Sequence, residues 1–169
     1  MEKLKKELKS RARKIRLLLT DCDGVLTDNG VYYSERGEEM KRFSFRDGMG
    51  VERLRKLVQI ETGIITGENS EIVKQRASKL KIAEYHPGIS DKYSKVKELC
   101  KQWNITLEEI AYIGDDINDY EIMKLVGLSA CPADAFTPVL ELANIVTESK
   151  GGQGAFRDFA EILIHLNTK

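Results

Sequence analysis

Asp21-Cys22-Asp23-Gly24-Val25-Leu26-Thr27 follows the apolar run Ile15 to Leu19, broken only by Arg16. The run reads as a buried strand that extends through Thr20, and the glycine lets the backbone turn sharply where the strand ends. Two carboxylates two positions apart at such a point are costly to bury unless something uses them. The same pairing of apolar run and polar strand end recurs along the chain, and that recurrence decides the fold.

Working outward, Val31–Tyr33 and Met40–Phe45 are two β-prone runs around Ser34-Glu35-Arg36-Gly37-Glu38, which predicts a hairpin with Gly37 in the turn. Val51, Leu54, Leu57 and Val58 recur at helical spacing. Thr62–Thr66 is a short strand ending in Thr66-Gly67, and Ile72, Val73, Ala77 and Leu80 mark a helix capped by Asn69 or Ser70. Ile82–Tyr85 reads as a strand stopped by His86-Pro87-Gly88. Tyr93–Trp103 is helical, and Thr106-Leu107-Glu108-Glu109 is a capping box for one further turn. Ile110–Ile113 is a strand ending in Gly114-Asp115-Asp116, followed by a helix through Tyr120–Val126. Leu128–Ala130 and Ile145–Thr147 are short strands on either side of Pro132–Asn144. Gly151-Gly152-Gln153-Gly154 is a flexible break before a last helix, Ala155–Leu166. Strand and helix in alternation predict an α/β fold, a parallel sheet with helices on both faces. Ligands of such sheets sit beyond the carboxyl ends of the strands.

The 169 residues suit one domain, residues 1–169, with a lead-in segment (1–14), the hairpin (30–45) and a C-terminal segment (151–169). Lys+Arg and Asp+Glu both number 27, so nothing favours nucleic acid or an anionic membrane as partner. Cys22, Cys100 and Cys131 have no CxxC spacing, which argues for cytoplasmic thiols rather than a disulfide framework or a zinc site. No apolar stretch reaches the roughly 20 residues that span a bilayer. The charged start, Met1 to Lys9, lacks a signal core and reads as a solvated basic helix.

Four groups stand at strand ends or helix starts: Asp21 with Asp23, Thr66, Lys92, and Asp115 with Asp116. Singly, each has a plain structural reading as a turn, a strand end, a solvated lysine or a helix cap. Together they form a kit for phosphoryl transfer. Asp21 would attack phosphorus, and Asp23 would protonate the leaving alcohol and then activate water. Thr66 would donate its hydroxyl to a phosphoryl oxygen, and Lys92 would offset the phosphoryl charge. Asp115, a carboxylate oxygen of Asp21 and the backbone carbonyl of Asp23 would hold Mg²⁺, which prefers hard oxygen ligands. Asp116 adjoins this set, and Asp119 reads as a residue orienting Lys92 or the loop.

These residues resemble the four motifs of the haloacid dehalogenase superfamily: Asp21-Cys22-Asp23-Gly24-Val25-Leu26-Thr27-Asp28, Thr66-Gly67, Lys92, and Gly114-Asp115-Asp116-x-x-Asp119. Arg46-Asp47-Gly48-Met49-Gly50, Gly88-x-Ser90-Asp91-Lys92, Val126-Gly127-Leu128-Ser129, Pro132-Ala133-Asp134-Ala135 and Gly151-Gly152-x-Gly154-Ala155-x-Arg157 are similar to the capless subgroup that includes 3-deoxy-D-manno-octulosonate 8-phosphate phosphatases. The likeness spans roughly residues 15–165. It implies a Rossmann-like three-layer sandwich with a mainly parallel central sheet, a small β-hairpin flap and no large cap domain. It implies a Mg²⁺-dependent, cytoplasmic phosphatase of a phosphorylated sugar acid in lipopolysaccharide biosynthesis, assembled as a homotetramer through the hairpin. The Gly151–Arg157 segment would approach a neighbour's site. Substrate contacts would fall on Ser44, Arg46, Asp47, Gly48, Glu68, Arg76 and Lys92. Many octulosonate members carry arginine where this chain has Glu68 and Glu52. A glutamate after Thr-Gly looks more like the relatives acting on nine-carbon sugar acid 9-phosphates.

Two other classes share parts of this pattern. A receiver-type signalling domain also clusters Asp, Thr and Lys around Mg²⁺, but its acceptor lies on a later strand than its acidic pair. A catalytically idle oligomerisation domain would not need an intact Asp21, Asp23, Thr66, Lys92 and Asp115. Cys22 reads as a small buried residue, His86 as structural or at a pocket rim, His165 as surface, and Trp103 as core or interface. The glycines at 151, 152 and 154 do not make a nucleotide loop, since no strand–turn–helix unit or Gly-Lys-Ser/Thr accompanies them.

Overall fold

A computed structural model describes residues 2–168. The elements run α1 (Glu2–Ala12), β1 (Leu17–Thr20), β2 (Val31–Ser34), β3 (Gly37–Lys41), α2 (Phe45–Val58), β4 (Glu61–Ile65), α3 (Glu71–Leu80), β5 (Glu84–His86), α4 (Lys92–Trp103), β6 (Ile110–Ile113), α5 (Tyr120–Met123), β7 (Leu128–Cys131), α6 (Thr137–Leu142), β8 (Ile145–Val146) and α7 (Ala155–Thr168). Among the described residues, six strands form one parallel sheet in the order β5-β4-β1-β6-β7-β8. A two-stranded antiparallel hairpin, β2-β3, stands apart from it.

Alternation along each strand feeds two apolar layers. Leu18, Ile64, Ala111, Ile113 and Leu128 point into a core with Val51, Leu54, Val73, Phe156 and Leu163, from α2, α3 and α7. Leu17, Leu19, Ile65, Ile110 and Tyr112 point the other way, onto Val96, Leu99, Ile122 and Val139 from α4, α5 and α6. Strands buried on both faces read as continuous apolar runs, which is why β1 and β6 stood out in the sequence. No large cap domain is present among the described residues; the hairpin is the only insertion of its kind there.

β1 lies between β4 and β6, with register Thr20 to Ile64 on one side and Thr20 to Ile113 on the other. The chain builds outward from β1 to β4 and β5, then returns to build β6, β7 and β8 on the opposite side. The crevice where the strand order reverses therefore opens at the carboxyl end of β1, and Asp21 is the next residue.

Several boundaries differ from the expectations. β3 ends at Lys41 instead of reaching Phe45, because the Ser44 hydroxyl accepts the Arg46 N–H at 3.1 Å and starts α2. Ser70, rather than Asn69, caps α3. The predicted helix through Val126 is a 3₁₀ turn (Ile117–Asp119) and one α-turn ending at Met123. The lead-in helix is not simply solvated: Ala12 is fully buried and Leu8 packs against the core beside it. Met1 lies outside the described residues. The glycine segment at 151–154 is anchored, with the Gly152 N–H donating to Val25 O at 2.9 Å and Gly151 seated against Gly24 O. His86 ends β5 and its ring meets Glu84 at 2.9 Å, while His165 is exposed. Trp103 is half-buried and donates its indole N–H to Glu84 at 2.7 Å.

Candidate active site

The turn after β1 is pinned on both sides. Asp21 N–H donates to Ile113 O at 3.0 Å, extending the β1–β6 ladder one residue beyond the sheet. Cys22 O then accepts from Leu26 and Thr27, closing a tight loop around Gly24 at φ 82°. A side chain on Gly24 would run into the Asp115 carboxylate, so the glycine is what lets the first loop and the loop after β6 approach.

Asp21, Asp23, Thr66, Gly67, Glu68, Asp115 and Asp116 line one cavity of about 180 Å³, together with Asn29 and Asn118. Lys92 and Asp119 stand behind it. Lys92 Nζ is 2.8 Å from Asp21 Oδ2 and 2.7 Å from Asp119 Oδ1. Asp119 is completely buried, and both its oxygens are used. Oδ1 accepts from Lys92 and from the Tyr112 hydroxyl at 2.6 Å, and Oδ2 accepts the N–H groups of Asp115 at 3.0 Å and Asp116 at 3.4 Å.

The electrostatics follow from burial. Desolvation raises Asp21 to about 8, with the Asp119 charge adding to it and Lys92 opposing. Desolvation likewise raises Asp115 to about 7. Burial pulls the Lys92 ammonium down, but the charges of Asp21 and Asp119 outweigh it and leave the group raised. Burial pushes the Cys22 thiol well up, which leaves it a packing residue and no nucleophile.

Oxygens of Asp21, Asp115 and Asp119 lie within 4.8 Å of one another. Asp119 is fully engaged by Lys92, Tyr112 and two backbone donors and does not line the cavity, whereas Asp21 and Asp115 do, so these two are the carboxylates that face a cation. Two buried, mutually close carboxylates with raised pKa values fit a hard divalent ion, which would relieve the desolvation that raises them.

Some predicted contacts gather elsewhere. Ser44, Arg46, Asp47, Gly48 and Arg76 form a second cluster at the start of α2. Arg76 donates to Ser44 O at 2.9 Å, its guanidinium lies 5.6 Å from the Phe43 ring centre, and it presses against Gly48. Asp47 is buried, and its Oδ1 accepts the Arg157 N–H at 3.0 Å, tying α2 to α7. Glu52 pairs with Lys56 one turn further along α2, whereas Glu68 lines the cavity.

Three residues of the site have contacts that the sequence did not disclose. Lys41, from β3, donates to both oxygens of Asp23 at 2.8 and 2.7 Å. Burial works against its charge, but the Asp23 hydrogen bond and charge hold it raised. The Thr27 hydroxyl donates to Asp23 Oδ1 at 3.1 Å, and the Asn29 amide donates to Asp115 Oδ2 at 3.2 Å. Asn29 sits in the left-handed region at φ 62°, so the Asp28-Asn29-Gly30 turn was its only legible trace.

The family model for haloacid dehalogenase-like hydrolases matches residues 51–157, more than half of the chain. The chain belongs to this family. It is 41% identical over 154 residues to the 3-deoxy-D-manno-octulosonate 8-phosphate phosphatase KdsC of Yersinia pestis, covering 91% of this chain and 82% of that one. Among solved structures, the Moraxella catarrhalis 3-deoxy-D-manno-octulosonate 8-phosphate phosphatase in complex with magnesium, phosphate and KDO superposes with TM-score 0.90 at 32% identity, over 95% of this chain and 91% of that one. The cobalt-bound deoxy-D-mannose-octulosonate 8-phosphate phosphatase of Haemophilus influenzae does so with TM-score 0.90 at 34% identity, over 94% and 92%.

Proposed function

We propose that this haloacid dehalogenase-like hydrolase is a Mg²⁺-dependent phosphatase that releases phosphate from 3-deoxy-D-manno-octulosonate 8-phosphate. The observation that carries the chemistry is the convergence of Asp21, Asp23, Thr66 and Asp115 on one cavity, with Lys92 2.8 Å from Asp21. The substrate rests on relatives bearing that name, one at 41% identity and one solved with KDO and phosphate.

Asp21 forms a bond to phosphorus as the ester P–O bond breaks and its electron pair leaves with the sugar oxygen. Asp23 gives that oxygen a proton. Asp23 then takes a proton from water as the water oxygen attacks phosphorus, and the acyl phosphate bond breaks to restore the Asp21 carboxylate. Thr66 and Lys92 hold the phosphoryl oxygens, with Lys92 aimed by Asp119. Asp21, Asp115 and the Asp23 carbonyl are the ligands assigned to Mg²⁺, which supplies charge neutralisation between an anionic nucleophile and an anionic ester. Asp116 joins the rim. Ser44, Arg46, Asp47, Gly48, Glu68 and Arg76 are assigned to substrate recognition, of which Glu68 lines the cavity.

Glu68 also supports a second reading, a phosphatase of nine-carbon sugar acid 9-phosphates, because it lines the cavity and a glutamate directly after Thr66-Gly67 resembles the relatives acting on those esters. Side-by-side kcat/KM values for the octulosonate 8-phosphate and nonulosonate 9-phosphates decide between them. A preference for the nine-carbon esters would displace the first reading.

The assembly we infer is a homotetramer in the cytoplasm. Tyr32, Tyr33 and Met40 of the hairpin are 65%, 68% and 60% exposed, an apolar surface that suits another copy. Sedimentation velocity of the wild type and of a Tyr32→Ser/Tyr33→Ser variant tests it: a monomeric wild type would remove the assembly from the reading.

A further inference from the structure

Lys41 belongs to none of the motifs that pointed to the site, yet its side chain is only 3% exposed. Three carboxylate oxygens surround its ammonium: both oxygens of Asp23 and, at 3.4 Å, Glu38 Oε2. Glu38 in turn accepts the Ser70 hydroxyl, and Ser70 caps α3 just after the Thr66-Gly67-Glu68 loop. A single line of contacts therefore runs from the second motif loop through the hairpin to Asp23. A buried ammonium is retained only where its partners are fixed, and the buried stem has already lost its rotamer freedom. Asp23 is held on one side by this lysine and by Thr27, and it borders the cavity on the other.

We propose that Lys41 is a positioning residue through which the hairpin sets the orientation of the Asp23 carboxylate for proton exchange with the leaving and attacking oxygens. The inference rests on the phosphatase reading above. Lys41 touches Asp23 and not phosphorus; Asp21, Thr66 and Lys92 keep their own contacts without it. The hairpin is thus more than a rim: its seating on Glu38 and Ser70 places the group that handles the proton.

A leaving-group comparison tests this. A sugar phosphate expels an alkoxide that must be protonated, whereas 4-nitrophenyl phosphate expels a stable phenolate that needs no acid. Because kcat/KM reports only steps up to transfer of phosphorus to Asp21, the two esters isolate the proton delivery. Lys41→Met keeps the stem and deletes the charge. It is expected to lower kcat/KM for 3-deoxy-D-manno-octulosonate 8-phosphate by about 10²-fold while leaving the nitrophenyl ester within a few-fold. Equal losses on both esters, or no loss on either, would overturn the proposal. Should the Met variant fail to fold by circular dichroism, Glu38→Gln decides: it leaves Lys41 in place, loosens it on one side, and is expected to show the same selective loss, smaller in size. A Glu38→Gln protein with no ester selectivity would then overturn it. Wild-type protein that hydrolysed neither ester with Mg²⁺ would instead sink the phosphatase reading itself, a result separate from any behaviour of the variants.

Discussion

Lys92 Nζ and Asp119 Oδ1 stand 2.7 Å apart with both side chains almost wholly out of water, 1% and 0% exposed. The pair joins the start of α4 to the loop that follows β6. Because Asp119 also receives Tyr112 and two backbone N–H groups, it organises the loop that presents Asp115. Asp119→Ala would leave Lys92 with Asp21 as its one carboxylate partner and orphan those buried donors. Breaking a buried pair in this way is expected to cost about 3–5 kcal/mol, read from urea unfolding at pH 7. An unchanged unfolding midpoint would show that the pair is dispensable.

Asp21 is expected to separate activity from stability. Burial beside Asp119 raises its pKa to about 8, so the ionised form that attacks phosphorus is also the form that burdens the fold. Asp21→Asn is expected to abolish Mg²⁺-dependent phosphate release while melting no lower than the wild type in chelator. Turnover surviving in that variant would remove Asp21 from the nucleophile role. In the wild type, EDTA is expected to abolish release and added Mg²⁺ to restore it.

Asp47 gives a pH signature away from the reacting groups. Burial is the main cause of its rise from 3.8 to about 6, and its Oδ2 has no hydrogen-bond partner. Below pH 3.8 the carboxyl is protonated in both folded and unfolded chains. As pH rises toward 6 the unfolded chain releases the proton first, so the native state loses stability through that window. A carboxyl held near 6 corresponds to about 3 kcal/mol once fully ionised. Asp47→Asn removes this dependence, so its melting temperature relative to wild type is expected to climb between pH 4 and 7 and then level off. A constant difference across that range would refute the assignment.

Gly24 tests how closely the loops must approach. At φ 82° an alanine is strained, and its methyl would displace the Asp115 carboxylate and the Asn29 amide. Gly24→Ala is expected to cost about 1–3 kcal/mol of stability from the backbone alone. Its loss of phosphatase activity is expected to exceed what the unfolded fraction explains, as measured by kcat on the folded protein. Parallel losses would mean that Asp115 accommodates the methyl.

How much of this was visible in the chain depended on where each residue sits. Asp21, Thr66 and Asp115 each stand one or two residues past the end of a strand with an apolar run, so a strand and its chemical end were read together. Lys92 was legible as the first residue of a helix. Asp119 was read as orienting Lys92 or the loop, and its Oδ1 accepts from Lys92 at 2.7 Å. Lys41 was not legible: Gly37-Glu38-Glu39-Met40-Lys41 looks like a solvated strand, and only the folding of the hairpin over Asp23 buries the amine. The end of β3 was misplaced because Met40–Phe45 has strand-forming side chains, while the Ser44 cap, a single local hydrogen bond, overrides them. Glu52 and Glu68 looked equivalent as substitutions near a sugar acid. The structure separates them, one paired along its own helix and one at the cavity wall.

The seat of Gly151 and Gly152 against Gly24, Val25 and Thr27 sets a timetable for the growing polypeptide. Every residue assigned to phosphoryl transfer has been synthesised by Asp115, yet the loop that carries the first two gains its backing only when a segment more than a hundred positions later leaves the ribosome. Contacts of such long sequence separation form late. A nascent chain or a truncated fragment ending before that segment would hold all of the reactive side chains and still lack the backbone that shapes their loop.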